Sequence, residues 1–264
     1  MGGRMMMKDY HMHPMATQAP ERLWEFAETA VMQGIKEICV TDHMPLSFIP
    51  DGTDRIPHGR VPEYIRRVRD FAKENEGKLS VKCGIEIDYH PSVLSEIEAV
   101  LSAGDFDYVI GSTHIHVFED LTKYTFNDIA AISLENEIRA VETGWFHVVP
   151  HMEMYRFLFA YPHRFPLKDD GFDLMRHEAL IRELLRKAKE RDMYIEINTN
   201  LARQINNDLS FAYPQATVME WAREAGVRFS YGSDAHLPHQ VGSLLTALRE
   251  SPVYRDAIAE WERE

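Results

Sequence analysis

The sequence predicts an α/β barrel in which seven parallel strands are each followed by a helix. Seven short β-rich runs alternate with seven amphipathic stretches along the 264 residues. Helices that connect consecutive strands make those strands parallel, either closed as a barrel or open as a doubly wound sheet. No glycine-rich nucleotide-binding motif follows the first strand, which weakens the doubly wound alternative. We expect one domain over residues 1–264, with residues 1–7 as a disordered or non-native start.

The elements follow from local periodicity. Strands are predicted at 8–13, 35–41, 80–88, 106–113, 145–151, 193–198 and 227–233. Helices are predicted at 20–33, 61–75, 91–103, 127–143, 172–191, 214–225 and 239–249. The helix at 172–191 has the clearest pattern, because its apolar residues recur near helical spacing among charged neighbours. Five glycines stand just after predicted helices, where a left-handed residue ends a helix: Gly34, Gly77, Gly104, Gly144 and Gly226.

Three predicted connections are long, namely 44–60, 152–171 and 199–213. Each follows a strand and precedes a helix. In a parallel α/β barrel such loops lie on the face where active sites are built. The apolar part of the second loop, which includes Met154 and Phe157, is predicted to pack over the barrel mouth rather than contact a substrate.

Composition restricts the partners and the compartment. The formal net charge of −13 disfavours nonspecific binding to nucleic acid or to an anionic membrane. It permits a phosphorylated small molecule, because bound cations can reverse the local charge. Cys39 and Cys83 lie in apolar runs and are expected to be free buried thiols in a reducing cytoplasm. We expect no membrane span and no signal peptide. The sequence leaves the oligomeric state open.

Residues that can bind metal ions follow every predicted strand. In chain order they are His11 and His13, Asp42 and His43, Glu86 and Asp88, His114 and His116, His151, Glu196 and Asn198, and Asp234 and His236. Alternate residues of a strand point to one face about 6.5–7 Å apart, so two imidazoles at i and i+2 can reach one ion. The number of ligands indicates two or three ions, an arrangement that suits hydrolysis at phosphorus. No serine nucleophile motif is present, which favours water as the nucleophile.

The remaining histidines have simpler interpretations. Five on loops or helix faces are interpreted as ordinary surface residues: His58, His90, His163, His177 and His239. His147 lies inside the fifth strand and is interpreted as a hydrogen-bonded core or edge residue rather than a ligand.

The ordered motifs resemble the PHP (polymerase and histidinol phosphatase) superfamily. They are DYHMH, TDH, GIEIDY, GSTHIH, the strand-end His151 and GSDAH, and they span about residues 9 to 240. The chain is most similar to the stand-alone histidinol-phosphate phosphatases. The resemblance implies a distorted seven-stranded (β/α)7 TIM-like barrel, which agrees with the seven units counted above.

The resemblance also implies a set of metal ligands. His11, His13, Glu86 and Asp234 would hold one ion, and Glu86 would bridge to a second ion held by His114 and His151. His43 and His236 would hold a third ion. Zinc, manganese and iron all suit such mixed imidazole and carboxylate ligands, so the metal's identity stays open.

One position departs from the family pattern. Relatives usually have a His or Asp about eight residues beyond the first motif histidine, as a further ligand of the third ion. This sequence has Ala19 there, and the loop is one residue shorter. Gln18 and Glu21 are the nearby substitutes. The departure leaves occupancy of the third site open.

Two arginines and three acids complete the prediction. Arg156 in HMEMYR and Arg203 in NTNLAR would bind the substrate phosphate, and surface positions for both are the alternative. Asp234, His236 or His116 would protonate the leaving alkoxide after a metal-bound hydroxide attacks phosphorus. Glu153 and Asp88 are candidates to meet a substrate amine.

The expected function is hydrolysis of L-histidinol phosphate to L-histidinol and phosphate in histidine biosynthesis. The alternatives are a PHP phosphoesterase for nucleotides, sugar phosphates or phosphotyrosine, and a non-catalytic metal-binding module. A metal-dependent amidohydrolase is disfavoured because no lysine stands at a strand end.

Overall fold

Seven parallel strands form one sheet whose order follows the chain. The structure is a computed structural model and describes residues 6–264. The strands are β1 (Lys8–Asp9), β2 (Glu37–Val40), β3 (Ser80–Asp88), β4 (Tyr108–Ser112), β5 (Val148–Val149), β6 (Tyr194–Asn198) and β7 (Arg228–Gly232). Each pairs in parallel with the next. The predicted strand count and direction are confirmed.

The first and last strands come together and nearly close the sheet into a barrel. The Asp234 N–H donates to the carbonyl oxygen of His11 at 2.8 Å, and the His13 N–H donates to that of Ala235 at 2.8 Å. These bonds hold the segment after β1 beside the segment after β7. The first and last motifs of the sequence pattern, DYHMH and GSDAH, are therefore neighbours in space.

Ten helices are present among the described residues. They are α1 (Glu21–Met32), α2 (Val61–Glu74), α3 (Leu94–Leu101), α4 (Phe126–Thr143), α5 (Tyr155–Ala160), α6 (Glu178–Glu190), α7 (Asn200–Gln204), α8 (Ala216–Ala225), α9 (Leu245–Glu250) and α10 (Arg255–Trp261). The sequence did not predict α5, α7 or α10, because helices of five to seven residues are too short to show a helical period. Helices α5 and α7 lie inside two of the long connections.

Helix boundaries follow local capping. The Thr125 hydroxyl accepts the Asp128 N–H at 3.1 Å and the Asp128 carboxylate accepts the Thr125 N–H at 3.0 Å, so α4 begins with a capping box. It ends at Gly144, whose φ of 71° is left-handed as predicted. Helix α6 begins later than predicted because Leu174–His177 forms a 3-10 turn before it. The predicted helix at 239–249 is likewise divided into a 3-10 turn at Pro238–Gln240 and α9.

Strands β1 and β5 are shorter than predicted. After Asp9 the chain bonds to both neighbouring segments but leaves regular pairing, and the Thr41 N–H donates to the Met12 carbonyl at 2.9 Å. After Val149 the chain turns at His151, where φ is 21°. The polar segments thus lie just beyond the strands, which positions their side chains at the barrel mouth.

The residues of β4 show how the barrel interior changes from apolar to polar. Tyr108, Ile110 and Ser112 share one face because alternate strand residues point the same way. Tyr108 and Ile110 belong to a small buried apolar cluster. Ser112, farther along, donates its hydroxyl proton to Glu86. The carboxyl ends of the strands therefore carry the polar chemistry of the barrel.

Two residues of the predicted start of the chain, Met6 and Met7, belong to the described part of the structure. The predicted disordered or non-native start at 1–7 falls mostly on residues 1–5, which lie outside the described residues. Of the other two residues, the Met6 N–H donates to the Glu262 carbonyl at 2.8 Å, and the Met7 carbonyl accepts from the Lys36 N–H at 2.9 Å. Both residues take part in the fold. The prediction for the start of the chain stays a prediction.

Two further predictions concern thiols and membrane spans. Cys39 and Cys83 are free and buried, as expected. Within residues 6–264, none of the helices has the length and apolar character needed to cross a membrane.

Candidate metal centre

The eight predicted metal ligands lie together at the carboxyl ends of the strands. They form four overlapping groups whose ligand atoms lie within 4.8 Å of one another: His13 with His43 and His236; His11 with His151 and Asp234; His11 with His13 and Glu86; and His43 with Glu86 and His114. Seven of the eight are buried, and His236 is half-buried. Because the groups share members, they describe one continuous cluster rather than separate sites.

Glu86 stands at the middle of this cluster. Its Oε2 lies 2.8 Å from His43 Nδ1, 3.3 Å from His11 Nε2 and 3.3 Å from His13 Nε2. Its Oε1 lies 3.2 Å from His151 Nε2 and 3.6 Å from His114 Nε2. A carboxylate with imidazoles on both oxygens has the arrangement of a bridging ligand.

Several of these buried atoms have no hydrogen-bond partner among the described residues. They include His11 Nε2, both ring nitrogens of His13, His43 Nδ1 and Glu86 Oε2. Their separations of about 3 Å lack hydrogen-bond geometry, so donor hydrogens do not point at acceptor lone pairs. Buried polar atoms without partners cost free energy. Lone pairs that converge in this way fit divalent cations with imidazole and carboxylate ligands.

The electrostatics keep the carboxylates ionised. Burial alone would raise the pKa of Glu86, but His43, His11 and His114 outweigh it and hold that pKa well below its ordinary value. The pKa of Asp234 is also held well below its ordinary value, by His11 and His13 against the effect of burial. Burial lowers the pKa of His13 well below its ordinary value. The ionised carboxylates of Glu86 and Asp234 are the forms that ligate metals.

Glu196 positions His11 and was not among the predicted ligands. His11 Nδ1 lies 2.7 Å from Glu196 Oε1, and the His151 N–H donates to Glu196 Oε2 at 3.0 Å. Burial alone would lower the pKa of His11, but Glu196 and Glu86 raise it well above its ordinary value. The pair fixes which ring nitrogen faces the cluster, a role that outer carboxylates have in metal sites. Its position at the end of β6 was the sequence signal for it.

Asp88 does the same for His114. His114 Nδ1 lies 2.6 Å from Asp88 Oδ1, and Asp88 Oδ2 accepts from Arg55 Nη1 at 2.5 Å. Arg55 and His114 hold the pKa of Asp88 below its ordinary value against the effect of burial. Asp88 is thus committed to two buried partners, and the suggestion that it meets a substrate amine is wrong.

Two residues of the cluster have left-handed backbone conformations that are uncommon outside glycine. His151 has φ of 21° and Asp234 has φ of 51°. Their N–H groups are held by Glu196 and by the His11 carbonyl, respectively. Such strained positions persist where the surroundings fix them and are concentrated at functional sites.

The structure also shows what stands near Ala19. Gln18 Nε2 donates to the backbone carbonyl oxygens of Thr53 and Arg55, and Glu21 is exposed at the start of α1. Neither residue belongs to the four ligand groups. Both substitutes are therefore excluded in this conformation, and the third group consists of the imidazoles of His13, His43 and His236.

A cavity of about 440 Å³ opens beside the cluster. One wall contains the predicted ligands His43, Glu86, His114, Asp234 and His236. The other walls are formed by Asp54, Arg55, His116, Val117, Met154, Phe157, Arg164, Phe165, Asn200, Leu201, Arg203, Gln204, Tyr213 and Gln240. This volume suits a small molecule. Met154 and Phe157 line the cavity at the barrel mouth, and whether they contact a substrate stays a prediction.

The two predicted phosphate arginines occupy different places. Arg203 lines the cavity. Arg156 does not: its Nη1 and Nη2 donate to the carbonyl oxygens of Ala212 at 3.0 Å and Ser210 at 2.7 Å. These bonds join the 152–171 and 199–213 connections, so Arg156 has a structural position and the prediction that it contacts substrate is not supported by its place in the fold.

The sequence matches the PHP domain family over residues 9–200, which is most of the chain. The chain belongs to the PHP family. The matched residues include the first-strand histidines and Glu86, and the cluster described above includes the later Asp234 and His236 as well. The predicted family is confirmed.

Relatives in the PHP family support this assignment along nearly the whole chain. A protein of Deinococcus radiodurans named "Probable histidinol-phosphatase" is 29% identical over 244 residues, covering 89% of this chain and 88% of its own length. A histidinol-phosphatase of Lactococcus lactis is 25% identical and covers 87% of this chain and 84% of its own. These matches confirm the prediction that the chain is an enzyme of the phosphatase type.

A solved histidinol phosphate phosphatase structure has the same fold. The histidinol phosphate phosphatase of Lactococcus lactis, crystallised with zinc, L-histidinol and phosphate, superimposes with a TM-score of 0.68 at 21% identity. The match covers 91% of this chain and 93% of the other. It confirms the seven-stranded barrel predicted from the resemblance.

The pKa values of the predicted proton donors of this PHP enzyme are all lowered, which favours their deprotonated forms at neutral pH. Burial lowers the pKa of His116 to about 3, and burial also lowers the pKa of His236 below its ordinary value. Asp234 is ionised, as described above. Any of the three must therefore first accept a proton before it can protonate a leaving group.

Glu153 lies behind the PHP cluster rather than in the cavity. It is fully buried, and Oε2 accepts from the Gln215 N–H at 2.8 Å. The suggestion that it meets a substrate amine is therefore wrong.

Its neighbour Glu137, on α4, is also buried and has an oxygen without a partner among the described residues. Burial and the charge of Glu153 raise the pKa of Glu137 to about 8.

Glu137→Gln is expected to stabilise the protein at neutral and alkaline pH. Because the folded pKa of about 8 exceeds the ordinary value of 4.5, the folded state retains a proton that the unfolded state releases. This group therefore destabilises the fold progressively as pH rises from about 4.5 to about 8. At about 1.4 kcal/mol per pKa unit, the effect is on the order of 3 kcal/mol at pH 7. Thermal unfolding across this range measures it.

The matched control for Glu137→Gln is Glu135→Gln, an exposed glutamate on the same helix. It should leave the pH dependence of unfolding unchanged. Identical pH profiles for the wild type and Glu137→Gln would contradict the ionisation argument.

The other histidines mostly have the predicted surroundings. His58, His163 and His239 are exposed, and His147 Nδ1 accepts the Val109 N–H at 3.0 Å. The surface interpretation is wrong for His177, which is buried. Its Nε2 lies 3.1 Å from Asn127 Oδ1.

Proposed function

We propose that this PHP enzyme is a metal-dependent phosphomonoesterase that hydrolyses L-histidinol phosphate to L-histidinol and phosphate. The observation that carries the proposal is the convergence of eight predicted ligands around Glu86 beside a small-molecule cavity. The names of the relatives that match most of the chain support the substrate.

The ligand sets are proposed as the sequence predicts them. Glu86 would bridge ions held by His11, His13 and Asp234 on one side and by His114 and His151 on the other, and His43 and His236 would hold a third. Divalent ions in such a site would lower the pKa of a bound water and neutralise charge on the phosphoryl oxygens. Zinc is the first ion to test, since the solved relative contains it.

The cavity has features that suit the two ends of the substrate. Its arginines suit a phosphate dianion, since a guanidinium donates two parallel hydrogen bonds to oxyanions. Its aromatic and apolar side chains, including Phe157, Phe165 and Tyr213, suit an imidazole ring. Among the described residues that line the cavity, Asp54 is the acidic residue that does not belong to the cluster. Its carboxylate would attract the substrate amine.

Three cavity side chains are proposed to transfer protons during the reaction. The pKa values of Asp234, His236 and His116 are lowered, and all three residues line the cavity. One of them would accept the proton that the attacking water loses and return it to the leaving alkoxide. Of these three residues, His116 lies outside the four ligand groups.

Metal removal and a substrate panel test the proposal. The protein stripped with a chelator and reloaded with zinc or manganese is expected to regain phosphatase activity that the stripped protein lacks. L-histidinol phosphate should have the highest kcat/KM in a panel with a nucleotide monophosphate, a sugar phosphate and phosphotyrosine. Full activity of the stripped protein would refute metal dependence, and a preference for another phosphomonoester would refute the substrate.

A further inference from the structure

We propose that Arg55, in the connection between β2 and α2, binds a phosphoryl oxygen of the substrate. The inference rests on the proposed phosphatase function and adds a binding residue that no sequence motif indicated. Arg55 lines the same cavity as His43, Glu86 and His114. The residue is 9% exposed, so its guanidinium is largely removed from water.

The hydrogen bonds of the Arg55 guanidinium leave donors free. Nη1 donates to Asp88 Oδ2 at 2.5 Å and to the Met44 carbonyl at 3.1 Å. No hydrogen bond from Nε or Nη2 reaches another residue within 6–264. A guanidinium has five N–H groups in a planar fork. Arg55 lines a cavity that would hold an oxyanion, and a phosphate oxygen would satisfy such donors with charge-assisted bonds.

Arg55 is also held in place before any ligand arrives. The Ile56 N–H donates to the His43 carbonyl at 2.9 Å, and Gln18 donates to the carbonyl oxygen of Arg55. These bonds fasten the loop to the end of β2, where His43 enters the cluster. A donor fixed in this way binds a ligand without the entropy cost of ordering a flexible side chain.

The other cavity arginines have fewer of these properties. Arg203 uses Nη1 for the Ser233 carbonyl at 2.8 Å and the Ser243 hydroxyl at 2.9 Å, and Nη2 lies 3.3 Å from the Asp234 carbonyl. Arg164 is exposed and packs on the ring of Phe165. Among these arginines, Arg55 combines burial, anchoring and free donors.

Asp88 connects Arg55 to the proposed metal site. The same carboxylate that anchors Arg55 orients His114 through its other oxygen. The Asp88 carboxylate would therefore fix the position of a phosphoryl group bound by Arg55 relative to His114, a proposed metal ligand. The phosphorus and the ions would be aligned by the fold rather than by the substrate.

The test compares Arg55→Lys with the wild type, using inorganic phosphate as the ligand and zinc-loaded full-length protein. Lysine can keep one nitrogen between Asp88 and the Met44 carbonyl, but it lacks the second and third nitrogens of the guanidinium fork. Calorimetry should show phosphate affinity reduced by about 10- to 100-fold, since hydrogen bonds to charged groups contribute on this scale. Zinc content should be unchanged, and KM for L-histidinol phosphate should rise.

The matched control is Arg60→Lys, in the same connection. Arg60 pairs with Glu63 through Nε at 2.6 Å and does not line the cavity. It should bind phosphate as the wild type does. Wild-type phosphate affinity in Arg55→Lys would overturn the inference while leaving the phosphatase proposal intact. A wild type that hydrolyses no phosphomonoester would instead overturn the proposed function and this inference with it.

A crystal structure of the zinc-loaded wild type with inorganic phosphate decides the matter even if Arg55→Lys fails to fold. A phosphate oxygen within about 3.2 Å of Arg55 Nε or Nη2 supports the inference. A phosphate in the cavity without that contact overturns it.

Discussion

Glu86→Gln is expected to reduce the number of metal ions bound per chain and to lower kcat/KM by about 1,000-fold or more. Glu86 has imidazole nitrogens near both oxygens, at 2.8 to 3.6 Å. Glutamine would present an NH₂ group, a hydrogen-bond donor, in place of one of these ligand atoms. It would also remove the negative charge at the centre of the cluster. Loss of several kcal/mol of transition-state stabilisation corresponds to this decrease, at about 1.4 kcal/mol per tenfold.

Metal analysis after dialysis, together with kcat/KM at saturating zinc, measures the effect of Glu86→Gln. Glu98→Gln is the matched control because Glu98 is an exposed glutamate on α3. It should retain both the metal content and the activity of the wild type. A Glu86→Gln protein with full metal content and activity would remove Glu86 from the bridging position.

The sequence predicts the placement of the cluster because that placement depends on local rules. Each strand of a parallel barrel ends on the same face, so residues that follow the strands must meet there. His11 and His13 are two residues apart and therefore reach the same region. The thirteen strand-end candidates could thus be collected without knowing any contact between distant segments, and the resemblance to the PHP family implied which eight of them are ligands.

The positions of the loop side chains could not be predicted in the same way. Arg55 and Gln18 lie in different loops, and the contact between them depends on how both loops cross the barrel mouth. Arg156 lies in α5, a helix too short to show a period in the sequence, and its guanidinium donates to carbonyl oxygens of another connection. Irregular backbone has no periodicity from which side-chain direction can be inferred. The substrate-contacting residues were therefore less predictable than the metal ligands.

The outer carboxylates lie between these two cases. Glu196 and Asp88 end strands, so the sequence identified them as polar strand-end residues. Their contacts with His11 and His114 depend on the register between neighbouring strands. That register also explains Gly232 in the GSDAH motif, because a Cβ atom there would lie 2.1 Å from Glu196 Oε1 and 2.5 Å from His11 Cβ. The glycine makes room for the pair that orients His11.

Glu196→Gln is expected to lower zinc affinity by about 10- to 100-fold, the usual effect of removing an outer carboxylate from a metal site. A glutamine would keep one acceptor for His11 Nδ1, but its NH₂ group would face the His151 N–H or the Asn198 amide, which are donors to Glu196 Oε2. His11 would then lose both its charge partner and its fixed orientation. Zinc titration monitored by activity measures the shift, and excess zinc should restore most of the rate because the cluster itself remains intact.

Gly232→Ala tests the same contact without changing any polar group. Its methyl group would crowd both Glu196 Oε1 and His11 Cβ and so disturb their contact, and zinc affinity should fall as in Glu196→Gln. Glu190→Gln, an exposed glutamate at the end of α6, should have no effect. Two outcomes would separate orientation from bulk charge: if Glu196→Gln weakens zinc binding and Gly232→Ala does not, the carboxylate acts through its charge alone. If both weaken it and excess zinc restores both, the orientation of His11 by Glu196 is what the binding site requires.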